Sequence, residues 1–278
     1  MDTLQDLRRF KDALPGNSAK LPVIFVGHGS PMNGIENNFF SDSWKALGVE
    51  APVPKAVIVI SAHWFTPGTR ITAMDHPETI HDFGGFPKAL FDVQYPAPGD
   101  PALAKETASL VHSAEVVTDH EWGLDHGAWT VVRHMYPDAK IPVLQLSIDY
   151  TKPPSYHYEL AKELGALRKR GVLILASGNM VHNLRAVNWN MPHTGYDWAI
   201  ESNEVFKKHL LNKNHRALID YQNLGAGVRM SIPTPEHYLP LLYAIGLQEN
   251  SDITTLFNDN ALMGSISMTS VLFSTPAA

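Results

Sequence analysis

The 278-residue sequence contains no cysteine. This absence excludes a disulfide framework, a thiolate zinc site, a thiolate-held iron–sulfur cluster and a cysteine nucleophile. Any transition metal must therefore be held by imidazole or carboxylate groups.

Concentrated positive charge and long apolar runs are also missing. The chain has 22 basic and 28 acidic residues, a formal net charge of −6, and its longest basic cluster is residues 168–170. Nucleic-acid binding is therefore disfavoured. The longest apolar runs have the length of strands, and residues 1–10 lack the apolar core of a secretory signal. We expect a cytoplasmic protein with neither a membrane nor a nucleic-acid partner.

Three common binding or catalytic signatures are absent as well. The segment Gly27-His28-Gly29-Ser30 has neither the spacing of a dinucleotide loop nor the lysine of a phosphate loop. No Gly-x-Ser-x-Gly motif of a serine hydrolase occurs. There is no internal repeat or linker composition, so residues 1–278 are expected to form a single catalytic domain. The Pro/Gly-rich residues 83–101 are interpreted as a long ordered loop, a kind of segment that often carries function.

The fold class follows from four short apolar runs that are rich in β-branched residues. They are residues 21–27, 56–60, 141–148 and 171–176. Continuous rather than alternating apolarity is typical of parallel strands that helices cover on both faces. Helical patterns at residues 101–111, 156–170, 196–211 and 234–245 alternate with these runs. The alternating residues 266–273 indicate a final edge or antiparallel strand. The sequence thus predicts an α/β fold, with a central mostly parallel (mixed) sheet flanked by helices.

Three histidines stand just past predicted strands. His28 and His63 end the first two strands, and His182 follows the fourth after a short polar segment. Ligands of open α/β sheets bind beyond the carboxyl ends of the strands. These three imidazoles are therefore expected to meet at one rim of the sheet.

Two further histidines have contexts that suit chemistry. His237 is predicted in the first turn of a helix capped by Thr234, where the helix dipole disfavours a protonated imidazole and so favours a metal ligand. His126 is predicted in a loop beside Asp125, as an acid/base or a substrate hydrogen-bonding group. A single buried histidine is more often a core residue than a ligand, and it is the joint placement that favours function.

Six ordered motifs carry a resemblance to a known family. They are VGHGSPM around His28, SAHW around His63, GLDHGAW around His126, SGNMVHNLR around His182, TPEHYLPLLYAIG around His237, and the tail GSISMTS. Together they resemble the 4,5-DOPA extradiol dioxygenases, which belong to the LigB-type, class III ring-cleavage dioxygenases, over about residues 21–273. The resemblance implies the LigB-type fold and a mononuclear metal site.

The resemblance also implies roles for individual residues. His28, His63 and His237 would be metal ligands. His182 would act as an acid/base towards substrate, or as a fourth ligand when substrate is absent. His126 would hydrogen-bond to substrate or to bound oxygen and supply protons.

The implied cofactor is one divalent metal per chain. The wider class uses two histidines and a carboxylate on Fe²⁺, whereas His237 takes the third position here and Glu236 is the neighbouring carboxylate. Zn²⁺ stands above Fe²⁺ in the affinity order but cannot exchange electrons with oxygen. We therefore expect Zn²⁺ in the protein as isolated and Fe²⁺ in ring cleavage.

The resemblance implies a small aromatic diol and O₂ as substrates, with 4,5-cleavage of L-DOPA to 4,5-seco-DOPA. Two other functions remain open from the residues alone. One is a zinc-dependent hydrolase that uses a metal-bound water on the same histidines. The other is a non-catalytic protein with a closed metal site. Whichever function holds, we expect a monomer or a small homo-oligomer.

Overall fold

The computed structural model of the chain describes residues 20–275. Residues 1–10, which are expected not to form a secretory signal, lie outside this range. The strands are β1 Val23–Gly27, β2 Ala56–Ser61, β3 Phe65–Thr66, β4 Thr69–Thr72, β5 Val116–Asp119, β6 Val143–Gln145, β7 Ile148–Asp149, β8 Val172–Gly178, β9 Ile253–Phe257, β10 Ala261–Leu262, β11 Ile266–Ser267 and β12 Ser270–Ser274. The α-helices are α1 Phe39–Glu50, α2 Lys88–Phe91, α3 Pro101–Leu110, α4 His126–Met135, α5 Pro154–Glu163, α6 Ala166–Lys169, α7 Asp197–Leu211, α8 His215–Ile219, α9 Ala226–Ser231 and α10 Leu239–Gly246.

The central sheet has the strand order β6-β2-β8-β1-β12-β9. β6, β2, β8 and β1 pair in parallel, whereas β12 is antiparallel to both of its neighbours. The predicted mixed, mostly parallel sheet is therefore confirmed, and so is the antiparallel final strand. That strand does not form the edge of the sheet, because β9 pairs along its outer side.

Both faces of the sheet are buried, which accounts for the continuous apolar runs. Alternate residues of β1 face opposite cores: Val23 and Phe25 join one cluster, and Ile24 and Val26 join the other. Helices α5 and α10 supply the first cluster, while α1 and α4 supply the second. Layers of helices on both faces are the arrangement expected of a parallel α/β sheet.

The register of the parallel strands sets where their ends lie. Gly27 of β1 pairs with Gly178 of β8, and Ser61 of β2 pairs with Ser177 of β8. The carboxyl ends of these three strands are therefore level. Residues that follow them emerge at one edge of the sheet.

Several predicted helices differ from the observed ones in their bounds. The helix expected over residues 156–170 is divided into α5 and α6, which end before the left-handed Gly171 with φ of 87°. The helix expected from Thr234 begins only at Leu239. The Thr234 hydroxyl donates to the Glu236 carboxylate instead of capping a helix. By contrast, α3 begins at Pro101 and its cap is Asp100, as predicted.

Among the helices of residues 20–275, none combines the length and the apolar character that a bilayer crossing requires.

A buried ion pair ties together the end of the sheet where β1 begins. The Arg168 guanidinium contacts the Asp252 carboxylate at 2.6 and 3.2 Å, and both side chains are fully buried. It also donates to the backbone carbonyls of Leu21 and Leu247. Burial alone would raise the pKa of Asp252, but the bonds from Arg168 and its neighbours lower it to about 2. The carboxylate therefore remains charged at neutral pH.

Replacing Asp252 by Asn is expected to lower the free energy of unfolding by about 3–5 kcal/mol, because it leaves a buried guanidinium without its counter-charge. Glu106→Gln is the matched control, since Glu106 and Arg170 form an exposed ion pair, and its cost should stay under about 1 kcal/mol. Urea unfolding curves measure both. Equal losses in the two variants would contradict this account of the pair.

Candidate metal centre

The structure brings the five histidines selected from the sequence into one cluster. They are His28, His63, His126, His182 and His237. His28 follows β1, His63 lies two residues past β2, and His182 lies four residues past β8. The level strand ends therefore place three imidazoles at one rim, as the sequence predicted.

Three of the rings are almost evenly spaced. The ring centroids of His28 and His63 are 5.1 Å apart, those of His28 and His237 5.4 Å, and those of His63 and His237 5.0 Å. The Nε2 atoms of His28 and His63 face each other at 3.1 Å. The two remaining rings lie closer to single members of this trio, because His126 is 3.8 Å from His63 and His182 is 3.5 Å from His237.

The tautomer of His28 follows from its hydrogen bond to Ser177. The Ser177 hydroxyl donates to the carbonyl oxygen of Gly127 at 2.6 Å, and it has no second proton to give. At the 3.0 Å contact between Ser177 Oγ and His28 Nδ1, the imidazole must therefore be the donor. A neutral His28 with Nδ1–H leaves the Nε2 lone pair free to face His63.

His126 is the first residue of α4 and not part of a loop, and its carboxylate partner is not the adjacent Asp125. Asp82 lies 2.9 Å from both Nδ1 and the backbone nitrogen of His126. The other carboxylate oxygen of Asp82 lies 3.4 Å from Nδ1 of His63. Asp82 is not among the site residues predicted from the sequence, because 44 residues separate it from His126. The signal that could have pointed to it is its position just before the Gly-rich part of a long loop.

Asp125 has a structural role beneath the cluster. Its buried carboxylate caps α4 through the Ala128 backbone N–H and accepts from Ser61 and from Gln145. Burial, and next the charge of Asp82, raise its pKa. These bonds fasten the start of α4 to β2 and β6. A Cβ at Gly127, the second residue of α4, would collide with Ser61 and His63, so a glycine is needed where the helix meets them.

His237 reaches the cluster from a turn that precedes α10. Its carbonyl oxygen accepts from the backbone N–H of Asn179, and a Cβ at Gly178 would collide with that oxygen. The close approach of this turn to β8 explains the glycine. Within residues 20–275, Nδ1 of His237 has no hydrogen-bond partner, although the Glu236 carboxylate lies 3.5 Å away.

Burial is the main reason why His28, His63, His182 and His237 are held in their neutral form. Burial, followed by the neighbouring imidazoles, keeps the pKa of both His28 and His237 well below the usual value. Burial and His126 lower the pKa of His63 to about 3 against the opposing charge of Asp82. Burial lowers the pKa of His182 to about 4. The helix dipole, which the sequence suggested as the reason for a neutral His237, is therefore secondary to burial, since His237 precedes α10 and is buried.

Two groups of side chains can each hold a metal ion within residues 20–275. One consists of His28, His63 and His126, and the other of His182, Glu236 and His237; in each group the ligand atoms lie within 4.8 Å of one another. Neutral nitrogen donors of this kind suit Zn²⁺ and Fe²⁺ alike.

The stacked pair of His182 and His237 restricts how many imidazoles can bind one ion. Their rings are nearly parallel, with 10° between the planes and 3.5 Å between the centroids. Imidazole lone pairs lie in the ring plane, so two stacked rings direct them side by side and not toward a shared point. The geometry therefore favours one of the two rings as a ligand, with the other beside it.

The chain is similar to proteins of known family. Residues 23–271 match the family described as "catalytic LigB subunit of aromatic ring-opening dioxygenase". A "4,5-DOPA dioxygenase extradiol" of Escherichia coli (strain K12) is 49% identical over 259 residues, which are 92% of this chain and 95% of that protein. A protein of the same name from Beta vulgaris is 36% identical over 262 residues, covering 89% of this chain and 96% of its own.

A solved structure agrees with these matches. The crystal structure of an uncharacterized protein of Escherichia coli K12 is similar to this fold with a TM-score of 0.79 and 43% sequence identity. The similarity covers 91% of this chain and 99% of that one.

Ser177→Ala removes the acceptor that sets the tautomer of His28. If His28 is a metal ligand, Zn²⁺ affinity is expected to fall by about 10–100-fold, as is typical when the outer partner of a ligating histidine is lost. The free energy of unfolding should fall by about 1–3 kcal/mol, because two buried polar groups lose their partner. Competition with a chromophoric chelator and urea unfolding measure the two effects.

Ser202→Ala is the control, because Ser202 is also buried and its hydroxyl also donates to a backbone carbonyl, that of Trp198 in α7. It should leave Zn²⁺ affinity unchanged and cost less stability than Ser177→Ala, because the Trp198 carbonyl lies within α7 and alanine is the better helix former. Wild-type affinity in Ser177→Ala would show that this hydroxyl does not prepare His28 for a metal.

Proposed function

The chain belongs to the LigB family, the catalytic subunits of aromatic ring-opening dioxygenases, and on that premise we propose that it cleaves L-DOPA at the 4,5 bond with O₂. The relatives named 4,5-DOPA dioxygenase extradiol support ring opening outside the diol and suggest the substrate. The observation that carries the proposal is the cluster itself. Three evenly spaced imidazoles are flanked by two more, of which one is backed by a carboxylate.

The residues proposed to hold the metal are His28, His63 and His237. Nitrogens bound at about 2.0–2.1 Å to one tetrahedral ion place the centroids of their rings about 5 Å apart, which matches the spacing of this trio. His126 lies too close to His63 to share the ion in this way. The facing Nε2 atoms of His28 and His63 give a second argument. If Ser177 and Asp82 keep both protons on Nδ1, two lone pairs meet at 3.1 Å, an arrangement that a cation relieves.

A divalent ion bound by these imidazoles would supply a Lewis acid for the catechol oxygens and, as Fe²⁺, the electrons that oxygen chemistry requires. Zn²⁺ would occupy the same nitrogens in the protein as isolated, because its affinity for imidazole is higher than that of Fe²⁺. Replacement of the usual carboxylate ligand by His237 leaves the ligand set without a negative charge.

His182 is proposed as the base that takes a proton from a catechol hydroxyl. Its low pKa keeps it neutral at physiological pH, and its stacking on His237 supports a position beside the ion over the role of a fourth ligand. General acid–base groups of this kind typically contribute about 10²–10⁴-fold to the rate.

His126 is proposed to hydrogen-bond to substrate or oxygen and to return a proton as the ring opens. Its Nδ1 contacts Asp82, so Nε2 is the atom available to the site. The ring of Phe83 lies edge-on to His126 with 5.7 Å between centroids, which shields that side of the imidazole from water.

Protein reconstituted with Fe²⁺ and supplied with L-DOPA should consume O₂ and form a yellow ring-opened product. A panel of other catechols, followed with an oxygen electrode and by absorbance, tests the choice of substrate. A zinc hydrolase would consume no oxygen with any catechol, and that result would overturn the proposal.

His63→Ala should remove metal and activity together, because it deletes a proposed ligand. His126→Ala should retain the metal and lower kcat by about 10²–10⁴-fold, as expected for the loss of a general acid–base group. Metal content and turnover of the reconstituted variants measure this. His76→Ala replaces an exposed histidine and should behave as the wild type. Loss of metal in His126→Ala would place that residue among the ligands.

A further inference from the structure

We propose that Asp82 is a positioning residue whose single carboxylate fixes the tautomers of two imidazoles, His63 and His126. It would thereby prepare a metal ligand and a proton-carrying residue together. The inference deepens the proposed function and rests on it insofar as His63 is a ligand.

The two oxygens of Asp82 have different partners. Oδ1 lies 2.9 Å from Nδ1 of His126 and 2.9 Å from the backbone nitrogen of the same residue. Oδ2 lies 3.4 Å from Nδ1 of His63. An ionised carboxylate only accepts hydrogen bonds, so it favours a proton on Nδ1 of both rings. The Nε2 lone pairs of both rings are then free for the site.

The orientation of this carboxylate is set by the start of a helix. The backbone N–H of His126, the first residue of the ten-residue α4, can only donate, and it holds Oδ1 in place. Since the carboxylate is planar, fixing one oxygen aims the other at His63. The Asp82 side chain is 17% exposed, although the residue as a whole is exposed.

A purely structural role would be limited to that backbone hydrogen bond. Replacement of Asp82 by Asn separates the two possibilities. The amide oxygen must stay on the His126 side, because an amide NH₂ there would oppose a backbone N–H. The NH₂ group of the new side chain would then face Nδ1 of His63 and donate to it. A donor at that position forces the proton of His63 onto Nε2, the atom that the ion requires.

Asp82→Asn is therefore expected to keep the fold and to weaken Zn²⁺ binding by about 10–100-fold. In proton NMR spectra of the zinc-free protein, the downfield Nδ1–H resonance of His126 should persist. The corresponding resonance of His63 should be lost or shifted strongly upfield. Neither readout depends on catalysis, so they remain valid if no catechol is a substrate.

Asp119→Asn is the matched control. The Asp119 carboxylate is also largely buried and also accepts backbone N–H groups, those of Glu121 and Trp122, but none of its hydrogen-bond partners within residues 20–275 is a histidine. It should leave Zn²⁺ affinity and both imidazole resonances unchanged. Thermal melting of both variants verifies that they fold.

A double variant that combines Asp82→Asn with His126→Ala separates the effect of the carboxylate on His63 from its effect on His126. In that background, Asp82→Asn should still weaken Zn²⁺ binding through His63, but it should lower kcat of the Fe²⁺-loaded protein no further. Wild-type Zn²⁺ affinity in Asp82→Asn, or an unchanged His63 resonance, would overturn the inference. Zinc binding that responds as expected, together with absent ring cleavage, would instead refute only the proposed function.

Discussion

The level pairing of three parallel strands is the constraint on which the site depends. Ser177 of β8 lies beside Ser61 of β2, and Gly178 lies beside Gly27 of β1. The chain therefore leaves all three strands at one edge, where His28 is the first residue after β1 and His63 the second after β2. A slip of one residue in any strand would turn its side chains to the opposite face and break the cluster apart. The apolar cores on both faces of the sheet thus maintain the register that the site requires.

Each proposed ligand has a hydroxyl or a carboxylate near its Nδ1 atom. A serine hydroxyl orients His28, a carboxylate faces His63, and Glu236 stands near His237 at 3.5 Å. Burial keeps these imidazoles neutral, and for His28 and His63 the outer partner favours one nitrogen as the site of the proton. A neutral ring with its lone pair aimed inward is the form that binds a metal. His126 also has a partner at its Nδ1 atom, the Asp82 carboxylate, which leaves its Nε2 atom facing the site.

The sequence was sufficient to predict the sheet and the histidines at its rim, because both follow from local patterns. A continuous apolar run signals a strand buried on both faces, and a histidine after such a run lies at the edge where ligands bind. The same locality explains the errors. Asp125 adjoins His126 in the chain, yet Asp82 is its partner, and the contact crosses 44 residues that no local pattern encodes. The start of α10 was predicted too early. Thr234 does not cap a helix, because it lies in the turn beside β8 and its hydroxyl donates to Glu236.

The central claim is that His28, His63 and His237 hold one ion while His126 and His182 stand beside it. Anomalous diffraction at the zinc edge from crystals of the zinc-loaded protein tests this most directly. The account predicts one peak per chain, about 2.0–2.1 Å from a nitrogen of each of those three rings and farther from the other two. A peak at bonding distance from ligand atoms of His28, His63 and His126, or of His182, Glu236 and His237, would contradict it.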